Sequence, residues 1–259
     1  MALSEIVDLS RYPIEDAGFI DQCKAAYDQG GILVLEGFVQ PAAIEEIRAE
    51  GEAGRGAVYS KREDHTVYLS APDPEFSADH PRNRKVVSTK GCLTDDKIGA
   101  TSPLRQLYDD TQFRAFLCAV LGERELHNYA DPLSSINLHF HETGQELGWH
   151  FDNSSFSITL MVQAPEAGGE FEYATDVRNA DAGDMGFDAV AQILDGQHAV
   201  ESLNARPGTL VFFRGRNSMH RVVPNAGACT RMLAVLAYNA EPGVALSETA
   251  RLTFYGRTG

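Results

Sequence analysis

The sequence predicts a mainly β protein with flanking helices. Three observations carry this. From residue 134 to 238 short apolar runs recur between turns rich in Gly, Pro and Asn, the mark of many short strands. The strong helical periodicities fall mostly before residue 123. The hydrophobic fraction of 43% and charged fraction of 23% are those of an ordinary globular chain,. The 259 residues are read as one domain,. Residues 1–127 hold N-terminal helices, strands and a cover segment, 128–242 the β core with an insertion at 174–205, and 243–259 a tail.

In chain order, residues 16–29 place Phe19, Ile20, Cys23 and Tyr27 on one helical stripe, and Gly30-Gly31 ends it,. Ile32–Leu35 is a short buried strand, and Pro41 starts a helix through Glu52 with Ile44 and Ile47 on one face. Residues 51–103 alternate Gly-rich and charged stretches, with weak strands at Thr66–Leu69 and Lys85–Ser88. A stretch this long without strong structure is usually functional, and it is expected to cover a site. Residues 103–122 read as one helix stopped by Gly122,. Strands then follow at 134–141, 154–163, 170–173, 207–213, 218–223 and 231–238. Within the insertion, Asp184–Leu194 is helical and is expected to form a rim or partial lid; Arg251–Tyr255 reads as a last strand.

Leu147-Gly148-Trp149-His150-Phe151-Asp152 carries the chemistry. Alternate residues of a strand face one way, so His150 and Asp152 point together. His220 lies on a later strand, and Arg231 eleven residues beyond it. Two His and one carboxylate form the facial triad of non-haem Fe(II) oxygenases. Arg231 offers a planar fork suited to a carboxylate.

These residues, in this order, make residues 128–242 resemble the Fe(II)/2-oxoglutarate-dependent oxygenases,. The context of His150 points to the group of free amino-acid hydroxylases and radical halogenases. The resemblance implies a double-stranded β-helix, a jelly-roll and cupin-like barrel. It implies Fe(II) on His150, Asp152 and His220, 2-oxoglutarate held at its far carboxylate by Arg231, and O2 as the third reactant. Thr159 and Asn137 are expected to add hydrogen bonds to the co-substrate. Arg84, in the basic cluster Arg82–Lys85, together with Trp149 and Asn153 beside the ligands, is expected to contact substrate. The halogenases of the group carry Gly where this chain has Asp152, so the implied outcome is hydroxylation of a small metabolite, a free amino acid or derivative.

A peptidyl, prolyl-type hydroxylase would use the same triad. His139-x-His141 followed by Glu146 resembles part of a cupin metal motif, the alternative being a metal-binding protein without 2-oxoglutarate turnover. Leu133 and Asn153 stand where that motif has glycines, and Asn217-Ser218-Met219 replaces its Pro-x-Gly. The net charge of −15 argues against nucleic-acid or anionic-membrane partners,. Four dispersed cysteines without Cys-x-x-Cys, and no apolar run of spanning length, fit a reduced cytoplasmic protein,. A small molecule is the expected partner, and a homodimer is compatible with the chain.

Overall fold

The computed structural model describes residues 1–259. Helices α1 (Leu3–Ile6) and α2 (Ala17–Gly30), strand β1 (Ile32–Leu35) and helix α3 (Pro41–Ala53) open the chain. Strands β2 (Tyr59–Thr66) and β3 (Lys85–Leu93) follow, then helices α4 (Pro103–Asp109) and α5 (Thr111–Leu121). The next strands are β4 (Ile136–His141), β5 (Leu147–His150), β6 (Ser157–Gln163) and β7 (Phe171–Ala174). After helix α6 (Phe187–Leu194) come β8 (Glu201–Leu203), β9 (Leu210–Phe213), β10 (Met219–Val222) and β11 (Arg231–Leu236), and helix α7 (Glu248–Tyr255) ends the order.

All strands pair antiparallel, in the order β1-β9-β6-β11-β4-β3-β5-β10-β7-β8, with β2 on β3. The sheet curls as a jelly-roll double-stranded β-helix, so strands from both ends of this order line one central cavity. Each wall therefore has an inner and an outer face. The outer face of β4, β6, β9 and β11 buries Leu138, Phe140, Leu160, Phe212 and Met232 against α2–α5 in the main core. The outer face around β5 and β10 buries Trp149, Phe151 and Met219 in a second core. Burial of apolar area at about 25 cal/mol per Å² makes these two cores the main favourable term.

The early elements form as their residues dictate. Asp16 caps α2 by accepting from Phe19 N, and Gly31 closes it at φ +68°, a conformation that favours glycine. The helix read over 103–122 is two helices. Asp110 leaves helical geometry and its carboxylate accepts from Gln112 N and Phe113 N, starting α5. The last strand expected at Arg251–Tyr255 is instead the end of α7, capped by Ser247 and closed by Gly256 at φ +71°.

The cover segment also differs from expectation. Its residues 59–93 form a long β2–β3 pairing, with β3 inserted between β4 and β5. β2 was faint in sequence because Lys61, Arg62, Glu63 and Asp64 suit a charged outer strand,. Neither this segment nor the 174–205 insertion closes over the cavity as a lid. Tyr68 of the first and Val177, Val190 and Ile193 of the second pack on the outside of the barrel, against Trp149 and Phe151. The Tyr68 hydroxyl donates to Met185 O. Only Leu203 and Ala205, at the end of the insertion, reach the cavity rim.

Candidate active site

β5 and β10 bring the expected ligands together. His150 and His220 are directly opposed in the β5–β10 ladder. β5 ends at His150, so Asp152 stands just beyond the strand. Its N–H donates to Gly215 O, which keeps the backbone extended and the carboxylate on the side of His150. Asp152 Oδ1 lies 3.7 Å from His150 Nε2 and 3.5 Å from His220 Nε2. One donor atom from each of the three lies within 4.8 Å of the others. Donors around one ion with bonds of about 2.1 Å are at most about 4.2 Å apart, so the measured spacings fit a shared metal after little movement.

The backbone fixes the ring tautomers. His150 Nδ1 is 2.8 Å from Gly148 O, and His220 Nδ1 is 3.0 Å from Ser218 O. A carbonyl only accepts, so each Nδ1 carries a proton and each Nε2 is left to face Asp152 and the metal position,. Burial, reinforced by the neighbouring His220, lowers the His150 pKa to about 3 and keeps its ring neutral. Burial acts to raise the Asp152 pKa, but the adjacent His220 and His150 outweigh it and hold the carboxyl below its usual range, at about 2. Two imidazoles and one carboxylate are the donor set that Fe(II) takes in a facial triad. Phe171 and Phe213 flank His220, with ring centroids at 5.5 and 4.9 Å.

Gly215 is part of this geometry, and the sequence reading missed it. A Cβ there would fall 2.0 Å from Asp152 Oδ2 and 2.6 Å from Cγ. Gly215→Ala is expected to push the carboxylate aside and weaken metal binding about 10- to 100-fold, the range seen when supporting residues of metal sites are lost. Anaerobic Fe(II) titration measures this; an unchanged affinity would show that the loop yields without moving Asp152.

Arg231 begins β11, opposite His141. It is 2% exposed, its Nε donates to Gly169 O at 3.0 Å, and its Nη1 has no partner. Burial lowers its pKa to about 10, which still leaves it a cation at neutral pH. A buried cation in the cavity wall with an unpartnered N–H calls for an anion,. The cavity measures about 180 Å³ and is lined by all three triad residues, Arg231 and Thr159. It also holds three polar groups to which the sequence reading assigned no role, Lys90, Ser157 and Thr209, and the Thr209 hydroxyl is buried without a partner.

Four expected ligand contacts lie elsewhere. Trp149 alternates with His150, so it points outward, where Arg221 sits over its ring at 4.8 Å. Arg84 pairs with Asp195 at 2.7 Å and ties β3 to the insertion. Asn153 is exposed outside the cavity, and its carbonyl accepts from Arg216. Asn137 is spent on structure: it donates to Leu133 O and Ile136 O and accepts from the Tyr255 hydroxyl of α7. Thr159 is in the cavity but pairs with Val235, four residues along β11 from Arg231. That is about 13 Å of strand, and both residues line the same cavity. His139 lines the cavity, while His141 is buried beside Arg231 and both its ring nitrogens lack partners.

Comparisons with known proteins agree with this geometry. The halogenase D family profile matches residues 15–252. A comparison with curated proteins finds no match. Among solved structures, the 2-oxoglutarate-dependent epimerase SnoN of nogalamycin biosynthesis is similar at TM-score 0.60 and 15% identity, covering 86% of this chain and 84% of its own. Prolyl-4-hydroxylase of Pseudomonas putida is similar at TM-score 0.53 and 12% identity, covering 83% and 96%. EctD of S. alaskensis, solved with 2-oxoglutarate and 5-hydroxyectoine, is similar at TM-score 0.52 and 18% identity, covering 84% and 75%. These likenesses show a shared fold. No helix of the chain is long and apolar enough to cross a membrane. Matched over nearly its whole length and carrying a His-Asp-His site, the chain belongs to the halogenase D family of Fe(II)/2-oxoglutarate-dependent oxygenases, enzymes that use O2 as co-substrate.

Proposed function

We propose that this protein hydroxylates a small metabolite, a free amino acid or close derivative, coupled to oxidative decarboxylation of 2-oxoglutarate to succinate and CO2. The carboxylate of Asp152, 3.5–3.7 Å from both histidines, is the observation that carries the hydroxylase assignment within a family named for halogenation. His150, Asp152 and His220 would hold Fe(II), which with 2-oxoglutarate and O2 supplies the oxidising power to take hydrogen from a C–H bond. Arg231 would anchor the far carboxylate of 2-oxoglutarate through its guanidinium, while Gly169 O fixes the direction of the fork. Asp152 fills the position that a halide would need, which leaves oxygen transfer as the outcome. Thr159, in the same cavity lining, would add a hydrogen bond to the co-substrate. Phe171, Phe213 and Val235 exclude water from the reacting carbon. A cavity of about 180 Å³ walled by strands suits a small metabolite better than an extended peptide,.

Two measurements test this. Anaerobic addition of Fe(II) and 2-oxoglutarate should produce the weak visible charge-transfer band of the chelate. A panel of free amino acids should then contain one that drives stoichiometric succinate release in air. Run under 18O2 in chloride-rich buffer, that reaction should give a product heavier by one 18O. A product carrying the chlorine isotope pair would overturn the hydroxylase assignment. Turnover of peptides alone would overturn the amino-acid assignment.

A further inference from the structure

Lys90 is the one lysine in the cavity lining. It lies on β3, in the run Val86-Val87-Ser88-Thr89-Lys90-Gly91-Cys92-Leu93. β3 pairs with β4 as Gly91↔Phe140, which sets Lys90 beside His141; His141 in turn opposes Arg231. Lys90 and Arg231 therefore stand on either side of β4, with backbones about 10 Å apart. Their side chains take different partners. Arg231 turns its Nε to Gly169 O. Lys90 Nζ lies 3.4 and 3.5 Å from the two ring nitrogens of His139, its only polar neighbour within hydrogen-bond reach. No carboxylate pairs with it, and the nearby Asp152 is committed to the two histidines. Burial lowers the Lys90 pKa, and burial together with Lys90 lowers that of His139. Both side chains are half-buried in the cavity wall, and no carboxylate pairs with either.

Charge counting says what is missing. Fe(II), Asp152, Arg231 and doubly ionised 2-oxoglutarate sum to zero. Both carboxylates of 2-oxoglutarate are then accounted for, one at the metal and one at Arg231. A ligand carboxylate beside Lys90 favours the protonated amine, and that one added positive charge is then balanced by the carboxylate itself.

We propose that Lys90 and His139 form a second carboxylate subsite, separate from Arg231, that receives the carboxylate of the substrate. It rests on the reading that Arg231 and the metal take 2-oxoglutarate. Lys suits the task as a compact charge on a flexible stem that can follow a small ligand. The subsite replaces the surface cluster around Arg84 as the source of anion recognition, and it requires a substrate with one uncompensated or zwitterionic carboxylate near the metal.

The test uses the anaerobic Fe(II)–2-oxoglutarate complex and two isosteric probes, propionate and neutral propionamide. Binding is read as a shift of the visible band and as a rise in Tm, neither of which depends on turnover. In the native protein, propionate should bind at least tenfold more tightly than propionamide. Lys90→Met should abolish that preference while moving the 2-oxoglutarate titration midpoint less than twofold. Lys90→Arg, which keeps the charge, should restore part of the preference and guards against a folding defect in the Met variant. Equal binding of the two probes by the native protein would overturn the proposal. So would a tenfold weaker 2-oxoglutarate midpoint in Lys90→Met with the preference intact, since Lys90 would then serve the co-substrate. A native protein that prefers propionate but turns over no amino acid would refute the amino-acid substrate and leave this subsite standing.

Discussion

His220→Ala is expected to lose iron-dependent consumption of 2-oxoglutarate to below detection while the chain stays folded. His220 supplies one of only three protein donors, and its Nε2 is aimed by the bond from Nδ1 to Ser218 O. Loss of a residue that merely supports a metal ligand costs about 10- to 100-fold in affinity or activity; loss of the ligand itself should exceed that. Folding should survive because His220 faces the cavity between Phe171 and Phe213, whereas the main core lies behind the opposite wall. The variant should keep the native circular dichroism spectrum and bind Fe(II) far more weakly. Full turnover by the metal-replete variant would remove His220 from the ligand set.

Arg231→Ala should raise the 2-oxoglutarate requirement far more than it changes affinity for Fe(II). Truncating one partner of a buried, hydrogen-bonded charge pair costs about 2–5 kcal/mol, which is roughly 30- to 5,000-fold in affinity. The residue is buried and has one N–H without a partner, so little of its binding capacity is spent within the protein. Titrating the visible band with 2-oxoglutarate at saturating Fe(II) separates the two affinities. An unchanged midpoint would make Arg231 structural and pass the anchor to another cavity cation, of which Lys90 is the nearest candidate.

The metal ligands were legible in sequence because each is tied to a local pattern. His150-Phe151-Asp152 needs only an extended backbone to face both ligands one way, and the turn-strand-turn rhythm around His220 and Arg231 is written in Gly, Pro and Asn,. The helices at 17–30 and 41–53 were likewise local, carried by apolar spacing and caps. The ligand-contact residues were not local in this way. Arg84, Trp149, Asn153 and Asn137 all have suitable chemistry, and Trp149 and Asn153 adjoin the ligands in sequence, yet each is engaged outside the cavity.

What the sequence by itself determined is therefore most of the strands between residues 134 and 238, the pair of ligands on one extended segment, and a distal His followed by an Arg. Only the tertiary structure decided which face of each strand became the inside. Both faces of the barrel wall are buried, one on a helical or insertion core and one on the cavity. Alternation then separates two faces without saying which of them holds the ligand. Trp149 went out and His150 in because β5 pairs with β10 in the register His150↔His220. Lys90 went in because β3 slots between β4 and β5, a non-local pairing that no short window of sequence contains.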